Sequence, residues 1–143
     1  MSALRKFALA VVLVAVLLGA PAALAQAYPS GAMASSGNVA NAVASAALPA
    51  VAGKTNYLTG VMMTSGGATA AAVVTCTITG LLGGTVTFIY GAPLGVGLLA
   101  QPLAMPFPYP LPASAPNVAV TASCPALGLG NTNAAISVLG FAQ

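Results

Sequence analysis

The chain has 143 residues, no Asp, no Glu and no His, and three cations that give a formal net charge of +3. Arg5 and Lys6 stand at the N-terminus, so Lys54 is the single charged side chain over the rest of the sequence. This leaves no basic patch for nucleic-acid phosphates or an anionic membrane. It also removes the carboxylates and imidazoles on which acid–base catalysis, catalytic triads and most metal sites depend.

The length suits one domain, on a prior of ~100–200 residues each. Ala, Gly, Thr, Ser and Asn fill the sequence, and aromatic residues are few. A surface made from these residues is neutral and resists self-association poorly. Two readings fit: an assembled oligomer or particle, which is favoured, or a poorly soluble exported monomer.

Met1–Ala25 has the layout of a cleaved secretory signal peptide. Arg5 and Lys6 form its charged start, Phe7–Gly19 its apolar stretch, and Ala23-Leu24-Ala25 supplies small residues before Gln26. A second site, after Ala25-Gln26-Ala27, competes with it. The apolar stretch is shorter than the ~20 residues of a membrane-spanning helix. The expected location is therefore secreted, or periplasmic and cell-surface, with no stable membrane span after cleavage. Residues 26–38, rich in Gly and Ser, read as a flexible N-terminal segment, and 39–143 as one β domain.

Within that domain, Val39–Leu48 is expected to be a strand closed by Pro49, although its alanines also suit a helix. Lys54–Thr64 is the next strand, with Gly60 a bulge or bend, and Ser65-Gly66-Gly67 is a turn. Ala70–Leu82 alternates Val74, Cys76 and Ile78 with Thr75, Thr77 and Thr79, the pattern of a half-buried strand. Gly80–Gly84 turns the chain into Thr85–Tyr90, where Val86, Phe88 and Tyr90 share a face. Leu94–Pro106 carries an irregular or edge strand, broken by Gly95, Gly97 and Pro102. Phe107–Pro116, with proline at nearly every second position, is expected to be an extended, polyproline-like crossover. Asn117–Cys124 alternates again, Pro125–Asn133 is a loop, and Ala134–Phe141 is the last strand. The fold class is all-β: an antiparallel, jelly-roll-like sandwich of about seven or eight strands.

Cys76 and Cys124 both fall on the apolar phase of their strands. With an exported chain and an even cysteine count, they are expected to form a disulfide. The opposing reading is two buried thiols acting as small apolar residues. Two cysteines alone do not make a zinc site, and no cofactor is expected. Lys54, beside a turn, is expected to be a solvated surface charge rather than a nucleophile. Among the aromatics, Tyr57 and Tyr90 are assigned to the core or its rim. Phe107 and Tyr109, in the proline segment, are the candidates for contact with a ligand or partner, with packing an equal alternative.

Four stretches together carry a family resemblance: GNVANAVASAALPAVAGKTNYLTG, GATAAAVVTCTITGLLGGT, PLPASAPNVAVT and GLGNTNAAISVLGF. From Gly37 to the C-terminus the chain resembles a family of small uncharacterised phage- and prophage-type proteins. The resemblance implies a jelly-roll or TNF-like sandwich, a homotrimer, and a virion or surface-attached role. It carries over no catalytic residue. Two departures stand out: those proteins begin without a signal peptide, and they usually have plain apolar residues where this chain has Cys76 and Cys124. The combined expectation is a secreted, non-enzymatic, self-associating structural protein, of phage-like descent. The alternative is a cell-surface glycan-binding or adhesive module.

Overall fold

The computed structural model describes residues 31–143. The expected signal peptide and its two cleavage sites lie outside these residues. The described residues form eight strands and no helix: β1 (Ala32–Ser35), β2 (Ala44–Leu48), β3 (Asn56–Ser65), β4 (Ala72–Leu81), β5 (Gly84–Ala92), β6 (Leu103–Pro112), β7 (Val120–Cys124) and β8 (Ala134–Ala142). They build two four-stranded antiparallel sheets, ordered β1-β8-β3-β6 and β2-β7-β4-β5. Every connection but the β4–β5 hairpin passes from one sheet to the other.

The two sheets enclose one hydrophobic core. Leu58, Val61, Met63, Ile136 and Val138 come from one sheet, and Leu48, Ile78, Val120, Cys76 and Cys124 from the other. All are almost completely buried. Burying one such aliphatic side chain contributes about 1.5–3 kcal/mol. The pattern follows from alternation: on β2, β7 and β8 every second residue is buried.

β3 departs from simple alternation, and its bulge sets which residues face inward. Leu58 pairs with Gly140 and Gly60 with Leu139, so Thr59 is an extra residue on β3. Asn56 and Leu58 are buried before it; Val61, Met63 and Ser65 are buried after it. Without the bulge, one half of this strand would present its core residues to solvent. The irregularity expected at Gly60 is thus present, and its function is to switch faces.

The proline segment is corrected. It was expected to be a crossover outside the sheets, yet most of it is β6, an edge strand on β3. An edge strand has a partner on one side only, so every second N–H faces away from the ladder. Proline is tolerated at those positions. Pro106, Pro108, Pro110 and Pro112 share one phase, and Pro106 and Pro112 stand opposite Gly60 and Tyr57. Between them Phe107–Pro110 bow out opposite Thr59 alone. The real crossover is the stretch from Ala113 to Ala119.

Three further boundaries differ. Within the segment read as a flexible lead-in, Ala32–Ser35 form β1, which pairs with Gly140 to Ser137 of β8. Val39–Leu48 is strand only from Ala44 onward; Val39 makes an isolated bridge to Ala134, and Asn41 takes a left-handed φ of 41° that breaks the strand. The strand expected to begin at Leu94 starts at Leu103 instead. The β4–β5 hairpin lies where it was expected. Gly80 there has a φ of 84°, and a Cβ on it would run into the Ala119 carbonyl, so no other residue fits without a shift.

Candidate functional site

The two sheets present different chemistry to the outside. On the β2-β7-β4-β5 sheet, the register aligns Ser45, Ser123, Thr77 and Thr87 into one row of hydroxyls across all four strands. Thr79 and Thr121 pair in the row beside it. The alternation of β4 sends its threonines outward for the same reason that it sends Cys76 and Ile78 inward.

The outer face of β1-β8-β3-β6 is uncharged, with apolar residues along one row and serines mixed into the next. Met33, Leu139, Gly60 and Pro106 form one row across the four strands. Ser35, Ser137, Met62 and Ala104 form the next. Met33 is 73% exposed and Met62 46%. Gly60 supplies no side chain to its row. A hollow of about 220 Å³ opens there, lined by residues that include Thr59, Met62, Ala104, Pro106 and Leu139. At the end of the same face Tyr57 and Phe141 are direct cross-strand partners, with stacked rings 5.1 Å apart. Such a pair adds about 0.5–1.5 kcal/mol beyond its buried area and stiffens this end of the sheet.

No family model and no curated protein matches the chain.

Cys76 and Cys124 form a disulfide between the neighbouring strands β4 and β7. They stand one residue beyond the Thr77–Ser123 pair, both inward-facing and fully buried. The flanking strand β2 offers Ala44 opposite Cys124, so the bridge is covered by a small side chain. Buried within the core, it is a structural bond with no access for a reaction partner.

Phe107 and Tyr109, the candidate contact residues, are separated by the structure. Phe107 is half-buried and packs against the core. Tyr109 is 83% exposed, at the bowed part of β6. They do not form one exposed aromatic platform. Tyr90 is buried; it accepts from the Ser65 hydroxyl and donates to the Gln101 carbonyl, each at 3.3 Å. Tyr57 is at the rim, in the stack with Phe141.

Two residues with no distinguishing signal in the sequence hold the ends of the sandwich. Asn56 is buried, and its side-chain amide donates to the carbonyls of Pro49 and Val118, each at 2.9 Å. It thereby ties the β2–β3 and β6–β7 connections together. At the opposite end Asn131 donates to the Gly66 carbonyl at 2.7 Å. Both asparagines sit beside Thr or Gly in stretches that read as ordinary loop or strand edge, so only the three-dimensional positions of the carbonyls reveal their role.

Proposed function

We propose that the protein is an exported, non-enzymatic structural protein that self-associates through the outer face of its β1-β8-β3-β6 sheet. The observation that carries this reading is the row Met33–Leu139–Gly60–Pro106 with Met62 beside it: an exposed apolar face, without a charged side chain, around a hollow. An exposed apolar patch on a folded protein marks an interaction site. Two such faces meet without stranding a charge away from water, so no desolvation of ions opposes the contact. The absence of Asp, Glu and His from the sequence supports a non-enzymatic role.

The strand orders β1-β8-β3-β6 and β2-β7-β4-β5, with chain crossings between sheets, support the finer reading of the fold as a jelly roll. The trimeric state and the phage-like descent rest on the sequence resemblance. Export rests on the signal-peptide pattern, and the buried disulfide suits an oxidising compartment. Light scattering on the purified protein, with and without Asp at Met33 and Met62, tests the self-association.

A second reading rests on Tyr109. Its open ring on a bowed edge strand suits stacking on a sugar, as an adhesive module would use. Glycan binding that is lost in Tyr109→Ala would support it; an array without binders would remove it.

A further inference from the structure

A different part of the molecule carries a separate inference. The connections β1–β2, β3–β4, β5–β6 and β7–β8 gather at one end of the sandwich. Main-chain hydrogen bonds join the last three there: Gly66 to Asn133, Gly67 to Leu98, Ala68 to Pro93, Gly95 to Ala68 and Thr69 to Leu129, at 2.6–3.1 Å. Around this knot stand five aliphatic side chains, Leu94, Val96, Leu98, Leu99 and Leu129, each between 55% and 87% exposed. They come from two loops that are distant in sequence. Gly130 brings the loops close, since a Cβ on it would lie 3.0 Å from the Val96 side chain.

We propose that this aliphatic crown docks the protein onto an uncharged lipid surface by inserting its side chains at the headgroup boundary. Three features select lipid. The loops hold no charged residue. Lys54, the single charged side chain among the described residues, lies at the opposite end, where its carbonyl accepts from the N–H of Asn117. The ion therefore stays in water when the crown enters an apolar phase. Second, many loop N–H groups are already bonded within the knot, which removes much of the cost of taking backbone out of water. Third, the exposed group is all Leu and Val, so no polar side chain has to be desolvated when it inserts. Interfacial attachment scales with buried apolar area, and a crown without a cation gains nothing further from anionic lipid.

The crown is distinct from the apolar sheet face, so the two proposals fail separately. The test is flotation of the purified protein with vesicles of pure phosphatidylcholine. The protein should float with the vesicles equally at low and high salt, because no ion pair holds it. The triple variant Val96→Ser, Leu99→Ser, Leu129→Ser should lose roughly tenfold or more of its partitioning, since binding tracks buried apolar area. Leu99→Ser alone, at the most exposed position, should lose roughly threefold, since one of several inserted side chains is removed. Val73→Ser with Ile89→Ser removes two equally exposed aliphatics from the hydroxyl-bearing sheet and should change nothing. The proposal is overturned if the unsubstituted protein does not float, if flotation needs anionic lipid or fails in salt, or if the triple variant floats unchanged. A triple variant that changes particle mass without lipid but floats normally would assign the crown to a second copy of the chain and overturn it too.

Discussion

Cys76 on β4 and Cys124 on β7 stand opposite each other at the inner face of one sheet, their Cα atoms 4.3 Å apart. The bond joins residues 48 positions apart in sequence. It therefore closes a long loop that contains β5 and β6 entirely. In chain-entropy arithmetic, a loop of this size restricts the unfolded chain by on the order of 4 kcal/mol.

Replacing both cysteines by Ala should lower unfolding free energy by about 2–4 kcal/mol, read from guanidinium denaturation. In the unsubstituted protein both cysteines should resist alkylation even after unfolding and take the label only on reduction, as mass spectrometry would register. Labelling of unfolded but unreduced protein would contradict the bond.

Asn56 should behave as a clamp rather than a surface residue. In Asn56→Ala the carbonyls of Pro49 and Val118 lose their donor. Both bonds are part-buried, so the freed carbonyls can turn to water and each lost bond costs about 0.5–1.5 kcal/mol. Urea unfolding should show this loss, whereas Asn38→Ala, whose amide bonds lie at the exposed surface, should leave the midpoint nearly unchanged.

Much of this was legible because alternation is a local property. The residue-by-residue pattern of Val74–Thr79 placed Cys76 inward and the threonines outward, and a cysteine on the matching phase of β7 completed the bridge. The proline segment was misread for a physical reason. Proline forbids only the N–H that faces a partner, and whether a strand has one neighbour or two is set by the rest of the chain. β1 was missed because so short a stretch, three small residues around Met33, becomes a strand only when β8 offers an edge. The crown was hidden for a related reason. Leu94–Pro106 read as an irregular or edge strand, and only the placement of the loops at one end shows Leu94, Leu98 and Leu99 standing together in the open.

The prolines of β6 should also protect the sheet edge. Replacing Pro106, Pro108 and Pro110 with Thr restores three outward N–H donors to an exposed edge strand. The variant should form larger aggregates on standing, measured by sedimentation velocity, with aggregation insensitive to salt because the chain carries almost no charge. A variant as free of aggregates as the parent would show that the bowed geometry alone guards the edge.

Stability should be nearly independent of acidity. A pH dependence of folding needs groups that bind protons differently in the folded and unfolded chains. With no Asp, Glu or His in the sequence, no side chain titrates between about pH 2 and pH 7. The urea midpoint should therefore hold across this range, without the acid transition that paired carboxylates produce. A steep loss below about pH 4 would contradict the account, because carboxylate protonation is its usual cause.

The central claim is self-association through the β1-β8-β3-β6 face, and multi-angle light scattering on a sizing column tests it most directly. The unsubstituted protein at micromolar concentration should elute as one oligomeric species of constant mass. Met33→Asp with Met62→Asp places two charges on the apolar rows at positions already exposed, so folding should persist while the mass falls to a single protomer. A monomeric unsubstituted protein, or an oligomer that both substitutions leave intact, would contradict it.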